Sequence, residues 1–249
     1  VIICLGVLQF ALTVILIHDP RSSNNDSDIL AGLKQFPEVI SDAFHYGLKN
    51  RIVFLLVIAS CAWGLSISGV ELLWQPQTKQ ILGSDTQTWI FGLLGAGYFA
   101  ASALGNLIVT PICKRFNNNY RGVLAGMRFL MGSTLIILAL QVNIFSFIGL
   151  YWVLFVFNGI MNSPHAALFN NNIPEQQRST LLSFESFMLQ IGGLIGSVVF
   201  GYISKLFSIS NAWYIGAMIL ALSSLCYVFL PKQDQETNEN DRNFPFFFV

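Results

Sequence analysis

Six stretches of this chain run for about 20 residues or more with almost no charge: about 52–74, 88–112, 122–142, 145–166, 178–204 and 212–230. At 1.5 Å of rise per residue, a helix of about 20 apolar residues matches the ~30 Å hydrocarbon core of a bilayer. Only 10% of the residues are charged and 54% are hydrophobic, whereas a soluble domain carries about a quarter charged residues. Such a chain cannot cover itself with polar surface in water. The runs are continuous rather than ten-residue alternations, so they do not read as barrel strands. The expected fold class is an all-α polytopic membrane protein, with membrane lipid as its solvent.

The remaining segments divide the chain. Residues 1–17, "VIICLGVLQFALTVILI", read as the end of a preceding transmembrane helix. Residues 18–50 form a linker in which Ile29, Leu33, Phe36, Ile40, Phe44 and Leu48 recur at steps of three or four, the spacing of an amphipathic helix at a membrane surface. Residues 51–231 hold the six spans, and 232–249 read as a disordered polar tail. Val1 opens inside an apolar run with no basic residue before it, which argues against a signal peptide and for a segment of a longer protein. The net charge is zero, so nucleic acid is not an expected partner. Cys4, Cys61, Cys113 and Cys226 sit in or beside apolar runs without a C-x-x-C pair and read as small buried hydrophobes.

Loop charge gives an orientation. Placing 18–51 in the cytoplasm puts Arg21, Lys34, Lys49, Arg51, Lys114, Arg115, Arg121, Arg178, Lys232 and Arg242 on that side. The other side then carries only Lys79 and Lys205, the asymmetry that sets topology. The linker and the tail are expected to be cytoplasmic, in the plasma membrane of the cell.

Six spans split into two triplets, and the middle span of each is rich in small residues: "GLLGAGYFAASALG" and "GGLIGSVVFG". Gly97/Ala101, Ala101/Gly105, Gly192/Gly196 and Ser197/Gly201 are small-xxx-small pairs that allow close backbone approach. Three spans is an odd number, so the triplets must be inverted relative to each other, a plan common among secondary transporters.

The stretch "NNNIPEQQRSTLLSFESFMLQIGGLIGSVVFGYIS" carries Ile173, Pro174, Arg178, Ser179, Thr180 and Ser183 in the order of an IP-x-x-x-R-[AS]-T-x-x-S motif before a Gly-rich helix. With "KNRIVFLLVIASCAWGLSISGVELLWQP" and the basic loop in "GNLIVTPICKRFNNNYRG", it resembles the C-terminal half of a major facilitator superfamily transporter, closest to bacterial drug:proton antiporter-type members. The loop lacks the Asp and the Gly-Arg-Arg core found in that family. The resemblance implies a six-helix half-bundle, a missing N-terminal half of the same chain, alternating access, and a central pathway lined by the first, second, fourth and fifth spans.

Spacing alone places polar side chains on one face of those same four helices. Ser60, Gly64, Ser68 and Glu71 share a face of the first; Tyr98, Ser102 and Asn106 a face of the second. Tyr151, Phe155, Asn158, Asn162 and His165 share a face of the fourth; Ser183, Phe187, Gln190, Leu194 and Ser197 a face of the fifth. Ser68, Glu71, Tyr98, Ser102, Asn106, Asn158, Asn162 and Gln190 are the candidate pathway residues; the bland role for such groups is hydrogen bonding between helices. Glu71 lies about 30 Å from Arg51 along the helix, near the outer surface, a place to couple protons or simply to be hydrated. His165, beside Pro164, reads as a loop-edge residue. Glu185 and Arg128 lie at matching depths, about 10 Å inside, which permits a direct bridge. Lys114, Arg115, Arg121, Glu175, Arg178 and Glu185 are candidates for a cytoplasmic gate.

No Walker loop, H-E-x-x-H or G-x-S-x-G pattern is present, so no enzymatic chemistry, cofactor or metal is expected. The functional expectation is secondary active transport: proton-coupled efflux of small amphiphilic compounds. Alternatives are symport of a neutral nutrient such as a sugar, and a membrane scaffold or sensor that does not transport.

Overall fold

The computed structural model describes residues 49–83 and 88–231. These form α1 (Arg51–Leu82), α2 (Trp89–Arg115), α3 (Tyr120–Ala139), α4 (Ile144–Asn171), a 3-10 turn (Glu175–Gln177), α5 (Arg178–Leu206) and α6 (Ile209–Val228). All six helices are long and apolar enough to cross a membrane. The expected helix end at 1–17, the linker up to residue 48 and the tail at 232–249 lie outside the described residues.

Local chemistry sets the helix ends. Asn50 accepts from the backbone N–H of Ile52 and Val53, Asn119 from Gly122, Asn143 from Phe145, and the Ser208 hydroxyl from Asn211. Each satisfies a donor that the first turn of a helix leaves open. α1 stops at Gly83, whose φ of +63° is left-handed backbone that favours glycine. Asn117 and Asn118 also adopt positive φ and turn the chain from α2 into α3. At the far end of α4, the side-chain amides of Asn170 and Asn172 donate to the carbonyls of Ala166 and Leu168, so the asparagine run finishes the helix before Pro174 redirects the chain.

The helices outrun the apolar stretches. α1 has 32 residues, about 48 Å at 1.5 Å per residue, and passes Pro76 without ending. α2 and α4 likewise continue past Pro111 and Pro164. The sequence places these prolines at span ends; the structure places them inside helices, as membrane helices tolerate when neighbours satisfy the freed groups.

Packing follows the inverted repeat. α1 packs most extensively on α5, α2 on α4 and α3 on α6, followed by α1 on α6 and α3 on α4. Exchanging α1 with α4, α2 with α5 and α3 with α6 maps this set of contacts onto itself. Small residues allow the two closest pairings. A Cβ on Gly64 would strike the Leu189 carbonyl, and one on Gly192 the Cys61 carbonyl, between α1 and α5. Gly105 and Gly159 meet the Val156 and Ser102 carbonyls in the same way between α2 and α4.

Exposure is uneven among the helices. α3 and α6, poor in polar stripes, bury much of their surface, including Leu124, Met131, Leu135, Trp213 and Tyr227. The most open helices are α2 and α5, which expose Phe99, Leu104 and Leu107, and Leu194, Val198 and Tyr202.

Candidate functional site

The basic end of the bundle contains a polar chain that crosses five helices. His165 of α4 sits at its centre, because the helix continues beyond Pro164 to Asn171 and carries the ring inside the bundle. This corrects the loop-edge reading: the side chains of His165 and Glu185 are only 17% and 15% exposed. His165 Nε2 lies 2.6 Å from Glu185 Oε1 on α5, and His165 Nδ1 lies 3.0 Å from the Tyr227 hydroxyl on α6. Ser60 of α1 donates its hydroxyl to the same Glu185 oxygen at 2.7 Å, with its Oγ 3.0 Å from His165 Nε2. Arg128 of α3 donates through Nη2 to the Tyr227 oxygen at 2.9 Å, and its guanidinium lies over the Tyr227 ring.

One arrangement of hydrogens satisfies the links through Tyr227 and the Glu185 carboxylate. Arg128 donates to Tyr227, Tyr227 donates to His165 Nδ1, and His165 Nε2–H and Ser60 donate to an ionised Glu185. In that state the imidazole is neutral and the Arg128 and Glu185 charges cancel. Adding a proton to His165 makes both ring nitrogens donors, so the Tyr227 O–H must turn away. Arg128 and Glu185 line one cavity, but the two are linked through Tyr227 and His165 instead of bridging directly.

Beside this chain lies a cavity of about 180 Å³ lined by residues that include Trp63, Asn158, Met161, Asn162 and Leu189. Asn158 is 7% exposed and its Oδ1 accepts from Trp63 Nε1 at 2.9 Å, which fixes the amide at the cavity wall. Asn162 is exposed and lines the same space.

The other pathway candidates lie elsewhere. Glu71 is exposed and accepts a long bond from the Tyr98 hydroxyl, 3.5 Å. Asn106 and Gln190 are exposed on α2 and α5. Ser68 is buried at the α1–α5 contact, donating to the Leu65 carbonyl, and Ser102 lies at the α2–α4 contact. Both serve helix packing in this conformation. Of the gate candidates, Lys114, Arg115, Glu175 and Arg178 are exposed, and no ion pair joins them to one another among the described residues. Arg121 donates to the Val228 carbonyl at 2.7 Å, fastening α3 to the end of α6. Glu185 alone of that group reaches the interior chain.

Sequence reasoning missed Trp63 and Tyr227. An aromatic in an apolar run carries no periodic signal. The one available cue was that a Tyr at a span end brings a hydroxyl to the depth of Arg128.

Residues 52–248 match the family model of the Major Facilitator Superfamily. The chain belongs to that superfamily. It is therefore a multi-pass membrane protein, and its described residues form a half-bundle of that fold. It is also 24% identical over 202 residues to the uncharacterized MFS-type transporter YxaM of Bacillus subtilis (strain 168), covering 78% of this chain and 48% of that protein. The chain thus spans about half the length of the curated relative it matches. No solved structure matches it.

Proposed function

We propose that this major facilitator chain forms one half of a secondary transporter that exports small amphiphilic compounds in exchange for protons. The observation that carries this reading is the interior pair of His165 and Glu185, titratable groups on two helices joined at 2.6 Å beside a cavity. Ionisable groups inside membrane helices are costly and tend to mark ion or substrate paths. Here a proton taken up at His165 redirects the Tyr227 hydroxyl, which couples protonation to the position of α6. Family membership and the name of the Bacillus relative support transport. The cavity between Trp63, Asn158 and Asn162 argues against a scaffold, in which those amides would pack without a space.

In this reading the open faces of α2 and α5 receive the opposing half-bundle, and the half-bundles rock about the membrane midplane. The basic end, with Lys114, Arg115, Arg121 and Arg178, faces the cytoplasm of the cell.

The test is solute-driven proton flux by the intact protein in liposomes, with Glu185→Gln compared against wild type. The expected result is loss of proton flux in the variant. Proton flux unchanged in Glu185→Gln would remove this pair from the mechanism, and absence of solute-driven flux in wild type across a panel of amphiphiles would end the efflux reading.

A further inference from the structure

A second hollow of about 180 Å³ opens at the basic end of the bundle, where the end of α2, the start of α3 and the part of α4 around Pro164 meet. Lys114, Asn118 and Tyr120 line it near the helix ends, and Thr110 lines it one turn back along α2, about 6 Å deeper. Ser163 of α4 borders the same space. Asn117 and Asn118 hold left-handed backbone, and the Asn118 N–H donates to the Cys113 carbonyl at 2.8 Å, so the turn folds back over the end of α2. Thr110, Asn118 and Ser163 are exposed, and the Tyr120 hydroxyl is not shut off from solvent. Among the described residues no hydrogen bond engages any of these four side chains. Elsewhere in the bundle Ser133, Ser197, Ser223 and Ser224 turn their hydroxyls back onto carbonyls of their own helices. Thr110 and Ser163 leave theirs open. Lys114 is exposed, and no acid lines the hollow among the described residues.

We propose that this hollow binds the headgroup of an anionic phospholipid. Leu107, Thr110 and Lys114 are spaced three and four, so one face of α2 presents an exposed apolar side chain, a hydroxyl and a cation in order toward the helix end. A phospholipid standing beside that face runs in the same order: acyl chain, ester and glycerol, phosphate. Lys114 meets the phosphate as a point charge, with the Asn118 amide as a second donor. The Thr110 and Ser163 hydroxyls donate to the ester and glycerol oxygens. Basic pockets between membrane helices are a known form of anionic-headgroup site. The volume of about 180 Å³ equals the share of about six liquid waters, room for a phosphate and the glycerol next to it. A zwitterionic headgroup is disfavoured, because its ammonium would meet Lys114 and find no acid in the lining. A free phosphate ester would satisfy the charge and leave Leu107 unused. The assignment goes beyond the transport reading and does not rest on it, since binding requires no gradient.

The experiment is native mass spectrometry of the intact protein in detergent micelles titrated with phosphatidylglycerol, with phosphatidylcholine and glycerol 3-phosphate as parallel probes. Saturable binding of phosphatidylglycerol is expected at concentrations where phosphatidylcholine does not bind. Lys114→Gln is expected to weaken it about fivefold, the effect of one cation beside a membrane-surface phosphate. Ser163→Leu fills the hollow from α4 without changing any charge and is expected to weaken it by a similar factor; it keeps the proposal testable if Lys114→Gln does not fold. Arg178→Gln removes a cation at the same end of the bundle but outside the hollow, and it is expected to leave the affinity unchanged. Equal affinity for phosphatidylglycerol and phosphatidylcholine would overturn the proposal, as would wild-type affinity in Ser163→Leu. An equal loss in Arg178→Gln and Lys114→Gln would overturn it in favour of general attraction to the basic end. Glycerol 3-phosphate binding of comparable strength would overturn the lipid assignment in favour of a soluble phosphate ester.

Discussion

His165 Nε2 and Glu185 Oε1 lie 2.6 Å apart, although the two residues are 20 positions and a helix turnaround apart in the chain. The contact joins α4 to α5, the two helices that flank the polar knot at 170–177. Ser60 from α1 closes on the same carboxylate oxygen. Removing the imidazole leaves a half-buried acid with one neutral donor. His165→Ala is expected to lower unfolding stability by about 1–3 kcal/mol, and Glu185→Gln by less, since the amide keeps an acceptor oxygen. Reversible unfolding in mixed micelles measures both, and a loss below about 0.5 kcal/mol for His165→Ala would mean the contact contributes little.

Two glycines hold α1 against α5. A methyl group on Gly64 or Gly192 meets a carbonyl of the facing helix, and backbone on both sides leaves no flexible atom to move. Gly64→Ala and Gly192→Ala are each expected to cost about 1–3 kcal/mol. Gly126 provides the control, because a methyl group added there would meet nothing within 4 Å. Gly126→Ala is expected to be neutral or slightly stabilising. The same micelle unfolding assay ranks the three, and equal behaviour at all three positions would contradict the close approach.

The two acids differ in setting, and this predicts different transport phenotypes. Glu71 is exposed and bonded at length to Tyr98, while Glu185 is held in the interior chain. Glu71→Gln is expected to retain solute-driven proton flux with a changed KM; Glu185→Gln is expected to lose the flux. Liposome assays with an internal pH dye distinguish them. A reversal of the two phenotypes would move coupling to the far end of α1.

Orientation is open to direct chemical labelling. Phe116, after α2, and Val142, before α4, are both well exposed and lie at opposite ends of the bundle. In whole cells, Val142→Cys is expected to react with an impermeant maleimide and Phe116→Cys to react only after the membrane is opened. Labelling in the opposite order would invert the topology.

The sequence by itself determined the solvent, the helices and their inverted pairing. Each follows from a one-dimensional rule: an apolar run long enough to cross lipid must satisfy its own backbone as a helix, and an odd triplet must return inverted. It also placed Asn158 and Asn162 on one polar stripe of the fourth span, because helical spacing fixes which residues share a face. Tertiary structure alone decided which stripes enclose space and which close on a neighbour. Ser68 shares its stripe's periodicity with the cavity residue Ser60, and Ser102 with Tyr98, yet both lie where glycines let backbones touch. It alone carried His165 inside, by continuing α4 past Pro164, and alone set Tyr227 between His165 and Arg128. Spacing along a helix defines a direction, whereas a bond between helices depends on how far each is shifted and rotated against the next, and packing sets that.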